Sequence, residues 1–342
     1  MQSTQHATRD GSRSHDTTHR FRVKAADVGI VGFVDGGKLL EWIDKAANAT
    51  AAQWCGRTCV TASVGNVHLD RPISVAELVE VHASLVYTGR CSMHILVTVS
   101  CSDPTRAKAV QTSQCPIIFV AVDDSGNPVE VPRWTPVTML ELQRQRQARV
   151  RIRMRKRIEG AMAAESYTVE GTAPRATLPF LTAATDVNRD GKVHGGRVMR
   201  WIDEAAYACG ADWAGAQVIT SYIAGICFYG PITLGEVIDV TARIIHTGPR
   251  SIHTSVHVTT TDTDGGRPPV VAHGLAVVVS LDECGDARPV PKWEPDSDED
   301  HRLDQHALHL IELRQLLEPF TTAGAFLADA EPARIHHDTF AH

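Results

Sequence analysis

The strongest constraint on this chain is that it states its pattern twice. Residues 159 positions apart match along its length: Phe21 with Phe180, Asp44 with Asp203, Trp54 with Trp213, Pro72 with Pro231, Gly89 with Gly248 and Trp134 with Trp293. Of the 116 positions from 21 to 136, 37 are identical in the second copy, and the alignment needs no gap. A period this long means two tandem folded units and excludes a solenoid of short repeats. With 342 residues in all, each unit is long enough to bury a core of its own.

The best-matched stretch of each copy opens on a glycine pair, Gly36-Gly37 or Gly195-Gly196. It continues through Trp-Ile-Asp and an alanine-rich apolar run to a matched Trp-x-Gly, Trp54 to Gly56 and Trp213 to Gly215. Its periodicity predicts a helix that is apolar almost all round, and such a helix is buried. On that helix Asp44 shares a face with Leu40, Ala47 and Ala51, and Asp203 shares one with Met199, Ala206 and Tyr207. An ionised carboxylate on an apolar face is costly unless something pairs with it, hydrates it or uses it.

After the helix, copy one carries four runs of strand character, residues 59–69, 76–87, 92–101 and 110–123. The clearest sets Met93, Ile95, Val97 and Val99 against Ser92, His94, Thr98 and Ser100, the alternation of a half-buried strand. The matched His94 and His253 fall on such strands and read as sheet-face residues. One strand, a buried helix and four antiparallel strands make an α+β unit whose sheet wraps around the helix. Because such sheets need their faces and edges covered, the copies are expected to pack as a pseudo-dimer. They should meet sheet to sheet with their long helices roughly antiparallel. The boundaries read as a disordered tail at 1–18, a first unit at 19–136, a basic linker helix at 137–172, a second unit at 173–295, and an acidic segment, helix and tail at 296–342. Residues 144–157 of the linker carry eight Lys or Arg, read as a solvated face that can touch the acidic segment at Asp296, Asp298, Glu299 and Asp300.

Composition narrows the function classes. A formal net charge of −6 gives no reason to expect nucleic acid as a partner. Cys55, Cys59, Cys91, Cys101, Cys115, Cys209, Cys227 and Cys284 form no CxxC pair and sit in apolar runs, so they read as free thiols of a reducing compartment, and no metal site is expected. There is no run of about 18 apolar residues for a membrane span and no apolar core for a signal peptide near the start. A cytoplasmic protein is the expectation.

A glycine pair at a helix N-terminus presents unpaired N–H groups and the positive end of the helix dipole, a setting for an oxyanion. In copy two the pair follows Asp186-Val187-Asn188-Arg189-Asp190-Gly191-Lys192-Val193-His194. That loop, the Trp-Ile-Asp-Glu-Ala-Ala of the helix, the Gly-Pro-Ile-x-x-Gly-Glu-Val at 230–237 and the Thr-Gly-x-x-Ser at 247–251 resemble the acyl-CoA thioesterases of the hotdog fold. The tandem arrangement is similar to that of the cytosolic acyl-CoA hydrolases with two hotdog domains in one chain.

The resemblance implies hydrolysis of fatty acyl-CoA to free fatty acid and CoA. It implies a helix aspartate acting with a loop asparagine drawn from the other unit. Carried over residue by residue, it makes Asp44 the general base and Asn188 the group that orients water or thioester, one complete site across the repeat. The other pairing, Gly29 with Asp203, lacks the asparagine, and copy one reads Asp35-Gly36-Gly37 where copy two reads His194-Gly195-Gly196. Backbone N–H groups at Gly36, Gly37, Gly195 and Gly196, with His194, are the oxyanion candidates. Arg90 resembles the family's turn arginine and, with Arg250 one position later in its own copy, is a candidate for the CoA phosphates, since a guanidinium fork donates two hydrogen bonds at once. No cofactor is implied beyond the CoA of the substrate, and the resemblance implies a homo-oligomer, a trimer of double-hotdog chains. Two alternatives stand beside it: an acyl-CoA-binding sensor with weakened catalysis, and a hotdog hydratase or dehydratase acting on CoA thioesters.

Overall fold

A computed structural model describes residues 2–3, 14–29, 32–69, 71–102, 109–168, 171–260, 269–282, 286–317 and 320. In chain order the elements are β1 (Gln2–Ser3), β2 (Asp16–Arg22), α1 (Gly36–Cys55), β3 (Cys59–Val64), β4 (Val67–His68), β5 (Leu78–Thr88), β6 (Ser92–Ser102), β7 (Val110–Ala121) and α2 (Met139–Ala164). Copy two follows with β8 (Arg175–Leu181), α3 (Gly195–Ala214), β9 (Val218–Phe228), β10 (Val237–Thr247), β11 (Ile252–Thr260), β12 (Val270–Ser280) and α4 (Asp298–Gln315). The hotdog architecture is present twice, with α1 packed on β5, β6 and β7 and α3 on β9 to β12.

The matched Trp-x-Gly motifs end the two long helices. Gly56 (φ 67°) and Gly215 (φ 60°) cap them in the left-handed conformation. The Trp54 and Trp213 indoles each donate, over 2.9 Å, to the carbonyl of a proline that follows the last strand, Pro132 and Pro291. Phe21 stacks on Trp42 at 4.8 Å between centroids, and Phe180 on Trp201 at 5.3 Å, so each opening strand is pinned to its helix by the same aromatic pair.

The copies join differently from the face-to-face expectation. Among the described residues all strands belong to one twelve-stranded sheet, and the two halves meet edge to edge where β3 pairs antiparallel with β9, Ser63 opposite Cys227 and Val64 opposite Ile226. β4 adds a second link, Val67 opposite Ile223. Pairing these edges satisfies backbone groups that either unit alone would leave open. The faces that meet are those of the helices, and α1 and α3 pack directly on each other. They are antiparallel, since Gly37 lies against Arg200 and Asp203 while Gly196 lies against Glu41 and Asp44.

Three boundary expectations change. The tail read at 1–18 is shorter, because β2 begins at Asp16 and pairs with β5 from Ser84 to Leu78, with Thr18 Oγ1 2.9 Å from His82 Nδ1. A polar strand is held by its backbone partners, β5 on one side and β1 on the other, which hydrophobic patterning does not register. Residues 1 and 4–13, the stretch 321–342 of the expected loose tail, and Cys284 lie outside the described residues.

The linker helix α2 is more than a solvated connector. Thr138 and Glu141 form a capping box at its start, and Ala148, Ile158 and Met162 are buried against the outer face of the sheet. α4 starts at Asp298, within the acidic segment itself, because Ser297 caps it by accepting from Asp300 N–H and three acidic residues occupy its first turn. Ile158 and Met162 of α2 share an apolar cluster with Leu303, Ala307, Leu310 and Leu313 of α4. The acidic start of α4 is consumed by a buried cation: Arg243 of β10 contacts Glu299 and Asp300, each at 2.6 Å. Under α2 the outer face holds a cavity of about 70 Å³ beside His94, Arg155 and Cys227. His94 and Leu96 are buried there, so β6, read as half-buried, is covered on both faces. No described helix is long and apolar enough to cross a membrane.

Candidate active site

The antiparallel crossing of α1 and α3 decides where the two aspartates go. Asp44, in the third turn of α1, is buried beneath the glycine pair that opens α3. A Cβ on Gly196 would lie 2.9 Å from the Asp44 Cβ and 3.0 Å from the Glu41 Cα, so only glycine lets the helices approach this closely. The Gly196 N–H donates to the Asp44 carboxylate, and Thr61 Oγ1 of β3 donates to Asp44 Oδ1 over 2.8 Å. Burial pushes the Asp44 carboxyl up from its ordinary range. The Gly196 and Thr61 hydrogen bonds and the nearby His194 oppose the rise, and Glu41 adds to it.

The reciprocal site repeats the arrangement with copy roles exchanged. Gly37 N–H donates to Asp203 Oδ2 over 2.8 Å, and a Cβ on Gly36 would meet Asp203 Oδ1 at 2.8 Å and the Thr220 Cβ at 3.2 Å. Burial raises the Asp203 carboxyl to about 6, with Asp35 and Glu204 adding to the rise against the neighbouring Thr220 and Gly37. Thr220 stands beside Asp203 and holds its carboxyl down, as Thr61 does for Asp44, but in a looser contact in which Oδ1 closes no hydrogen bond of full geometry among the described residues. Thr61 and Thr220 are the residues that sequence reasoning missed. The signal was available, since they too are 159 positions apart and identical.

The loops before the glycine pairs share one geometry. Val28 bridges Val34 as Val187 bridges Val193. Gly29 N–H donates to Phe33 O as Asn188 N–H does to Lys192 O, over 2.9 and 2.8 Å. Asn188 turns its side-chain oxygen to the N–H groups of Asp190 and Lys192, each 3.0 Å away, which fixes the turn and leaves the amide nitrogen as the donor end. The Asn188 loop of copy two leads into the α3 N-terminus, whose glycine pair lies on Asp44 of copy one. His194 and Asp35 are the N-cap residues of α3 and α1, neither side chain closing a cap hydrogen bond.

Charge along the helix seam is paired across copies. Glu41 takes Arg197 at 3.4 Å and Arg200 at 3.5 Å, and Arg197 also reaches Asp186 at 3.0 Å. The structure does not bring Arg90 or Arg250 into contact with the carboxylates. Arg90 is exposed on the β5–β6 turn, 4.0 Å from Glu130, and Arg250 is exposed on the β10–β11 turn. The Arg90 turn is tied to the segment after β7 through Val131 N–H on the Arg90 carbonyl, and that segment reaches copy two, where a Cβ on Gly126 would lie 3.1 Å from Lys192 Nζ.

A family model described as the thioesterase superfamily matches the chain twice, over residues 31–108 and 190–266. The human protein named cytosolic acyl coenzyme A thioester hydrolase is 25% identical over 305 residues, which cover 81% of this chain and 77% of that protein. A Bacillus subtilis (strain 168) protein named an uncharacterized acyl-CoA thioester hydrolase is 35% identical over 107 residues, 31% of this chain and 62% of its own. Among solved structures, a putative oleoyl thioesterase from Lactobacillus plantarum aligns with a TM-score of 0.56 over 78% of this chain and 97% of that one. At 11% identity this is a likeness of fold alone.

Proposed function

The chain belongs to the thioesterase superfamily, and from that premise we propose that it hydrolyses acyl-CoA to a carboxylic acid and free CoA. The observation that carries the reading is the reciprocal burial of each helix aspartate beneath the glycine pair of the other copy. Asp44 is the general base of the first pocket: a carboxyl whose proton affinity is raised by burial accepts a proton from water more readily than an exposed one. The water oxygen attacks the thioester carbonyl, and the developing oxyanion falls at the N-terminus of α3. Gly196 N–H is committed to Asp44, which leaves Gly195 N–H, with the helix dipole behind it, as the oxyanion donor. The Asn188 amide orients the carbonyl, and Thr61 holds Asp44 in place. Collapse breaks the C–S bond, and the proton on Asp44 passes to the departing thiolate.

The exposed Arg90 and Arg250 are assigned to the CoA phosphates. Fatty acyl chains are the substrate class, CoA enters as part of the substrate, and the working assembly is a homo-oligomer, a trimer of double-hotdog chains, in the cytosol. The test is release of free thiol by the purified chain from a chain-length series of acyl-CoAs. Turnover that varies with acyl length supports the reading. Tight acyl-CoA binding without thiol release overturns it in favour of a sensor, and hydration of an enoyl-CoA without thiol release overturns it in favour of a hydratase.

A further inference from the structure

The pocket around Asp203 lacks the loop asparagine, yet its space is not empty. Gly29 stands where copy two has Asn188, and a Cβ built on Gly29 would coincide with the Asp35 carboxylate. The two loops share their bridges and turn hydrogen bonds, so the comparison is position for position. Copy one has thus exchanged an asparagine for glycine and, six residues on, a histidine for an aspartate whose carboxylate fills the vacated place. The neighbouring Asp203 is 94% buried and turns Oδ1 toward Gly36, where the looser contact with Thr220 closes no hydrogen bond of full geometry among the described residues, whereas Thr61 donates to Asp44 Oδ1 in the first site over 2.8 Å. Asp35 adds to the upward push on the Asp203 carboxyl, and where two carboxyls raise one another's proton affinity one keeps its proton before the other.

Resting on the thioester hydrolase reading above, we propose that the second pocket is also a hydrolytic site, in which the protonated Asp35 carboxyl supplies the hydrogen bond that Asn188 supplies in the first, with Asp203 as base. The Asp35 O–H donates to the thioester carbonyl oxygen. The Asp203 carboxylate takes a proton from water as the water oxygen bonds to the carbonyl carbon. When the C–S bond breaks, that proton goes to the thiolate, giving carboxylic acid and free thiol with no further reactant.

The charged groups around Asp35 are mixed. Asp203, Glu204 and Arg200 face it from α3, and its own helix brings Lys38, paired with Asp27 at 3.7 Å, and Glu41, paired with Arg200. Burial raises the Asp35 carboxyl, Arg200 opposes, and Glu204 adds to the rise. The working state carries one proton on the pair. Turnover in this pocket falls at low pH, when both carboxyls are protonated and no base remains, and again at higher pH, when both ionise and the donor is lost. The first pocket has an amide donor and shows no such loss on the alkaline side. The two pockets of one chain therefore work in different pH ranges.

The test silences the first pocket by two routes, Asp44→Asn on the buried helix and Asn188→Ala in the surface loop, each checked against the wild-type melting curve. Thiol release from an acyl-CoA that the wild type hydrolyses is then followed across pH. The expected result is a residual activity with a bell-shaped profile peaking below neutrality. Asp35→Ala in the same background lowers it on the order of 10²-fold, the scale for loss of one donor to the oxyanion. Asp35→Asn keeps it and removes the alkaline fall, because an amide cannot lose its donor. The inference is overturned if either silenced chain is no more active at any pH than an Asp44→Asn/Asp203→Asn chain, or if Asp35→Ala leaves the residual rate unchanged. A wild type without thiol release from any acyl-CoA overturns the parent reading itself, a result distinct from an active wild type with no residual site.

Discussion

Gly196→Ala tests the helix crossing on which both pockets depend. Gly196 is the second residue of α3, where alanine is favoured over glycine by at most the helix-interior value of roughly 1 kcal/mol, so propensity alone predicts stabilisation. The added methyl, however, would stand 2.9 Å from the Asp44 Cβ and 3.0 Å from the Glu41 Cα, atoms rooted in a helix whose Leu40 and Ile43 are fully buried. Neither neighbour is a flexible tip that can swing away, so the helices must part. Overpacking of this kind costs roughly 1–3 kcal/mol, which leaves a net loss of up to about 2 kcal/mol once propensity is credited. For folded units of this size each kcal/mol shifts the melting temperature by roughly 2–4 °C, so a fall of several degrees is expected. Turnover drops as well, because parting the helices draws Asp44 away from the α3 N-terminus. The control is Gly160→Ala in α2, where a Cβ meets nothing within 4 Å and the propensity gain stands alone. Thermal and chemical denaturation of both variants check the signs. A Gly196→Ala protein as stable as the wild type, with unchanged kcat, would refute the close-crossing argument.

Asp203→Ala at neutral pH should cost much less activity than Asp44→Ala, which should lose kcat on the order of 10²–10⁴-fold as a missing general base; steady-state kinetics on both, with melting curves, decide the order. Arg90→Ala should raise KM more than it lowers kcat, since a phosphate contact remote from the carbonyl is mostly uniform binding, and an unchanged KM removes Arg90 from the site. Arg243→Met should destabilise by roughly 3–5 kcal/mol, because Asp300 is left buried and unpaired, and protease cleavage near α4 should report the undocking. Acid titration should act on the same cluster. Burial alone would raise the Glu299 carboxyl, but Thr168 and Arg243 outweigh it and hold the group at about 2, and Asp300 is likewise held well below the usual carboxylate range. Groups with depressed folded values stabilise fully above their unfolded values of roughly 4, and that contribution is lost as pH falls toward about 2; Arg243→Met should flatten this part of the stability curve.

The helices, the strands and the duplication were legible because each rests on a local pattern: apolar periodicity, alternation and a constant offset of identical residues. Asp44 and Asp203 announced themselves as carboxylates on an apolar face. Thr61 shares the repeat offset with Thr220, but a matched threonine on a strand points to no role until the fold sets it 2.8 Å from Asp44. The edge-to-edge join was hidden for a related reason, since backbone pairing between β3 and β9 leaves little trace in side-chain pattern. The role of α4 depended on Arg243, a single cation some 55 residues upstream in β10, whose two carboxylate partners read in sequence only as a solvated acidic run. Asp35 read as a departure from the second copy. Only the coincidence of its carboxylate with the missing side chain of residue 29 gives it a meaning.

The central claim is that Asp44 of one copy and Asn188 of the other form a single catalytic unit. It is tested most directly by a double-mutant cycle on kcat, carried out in an Asp203→Asn background so that the second pocket sets no floor. Groups that act as one unit are strongly non-additive. The Asp44→Asn/Asn188→Ala chain is therefore predicted to turn over no more slowly than the more damaging single variant. Losses that multiply, with the double variant slower by the product of the two single effects, would place the residues in independent roles and contradict a site assembled across the repeat.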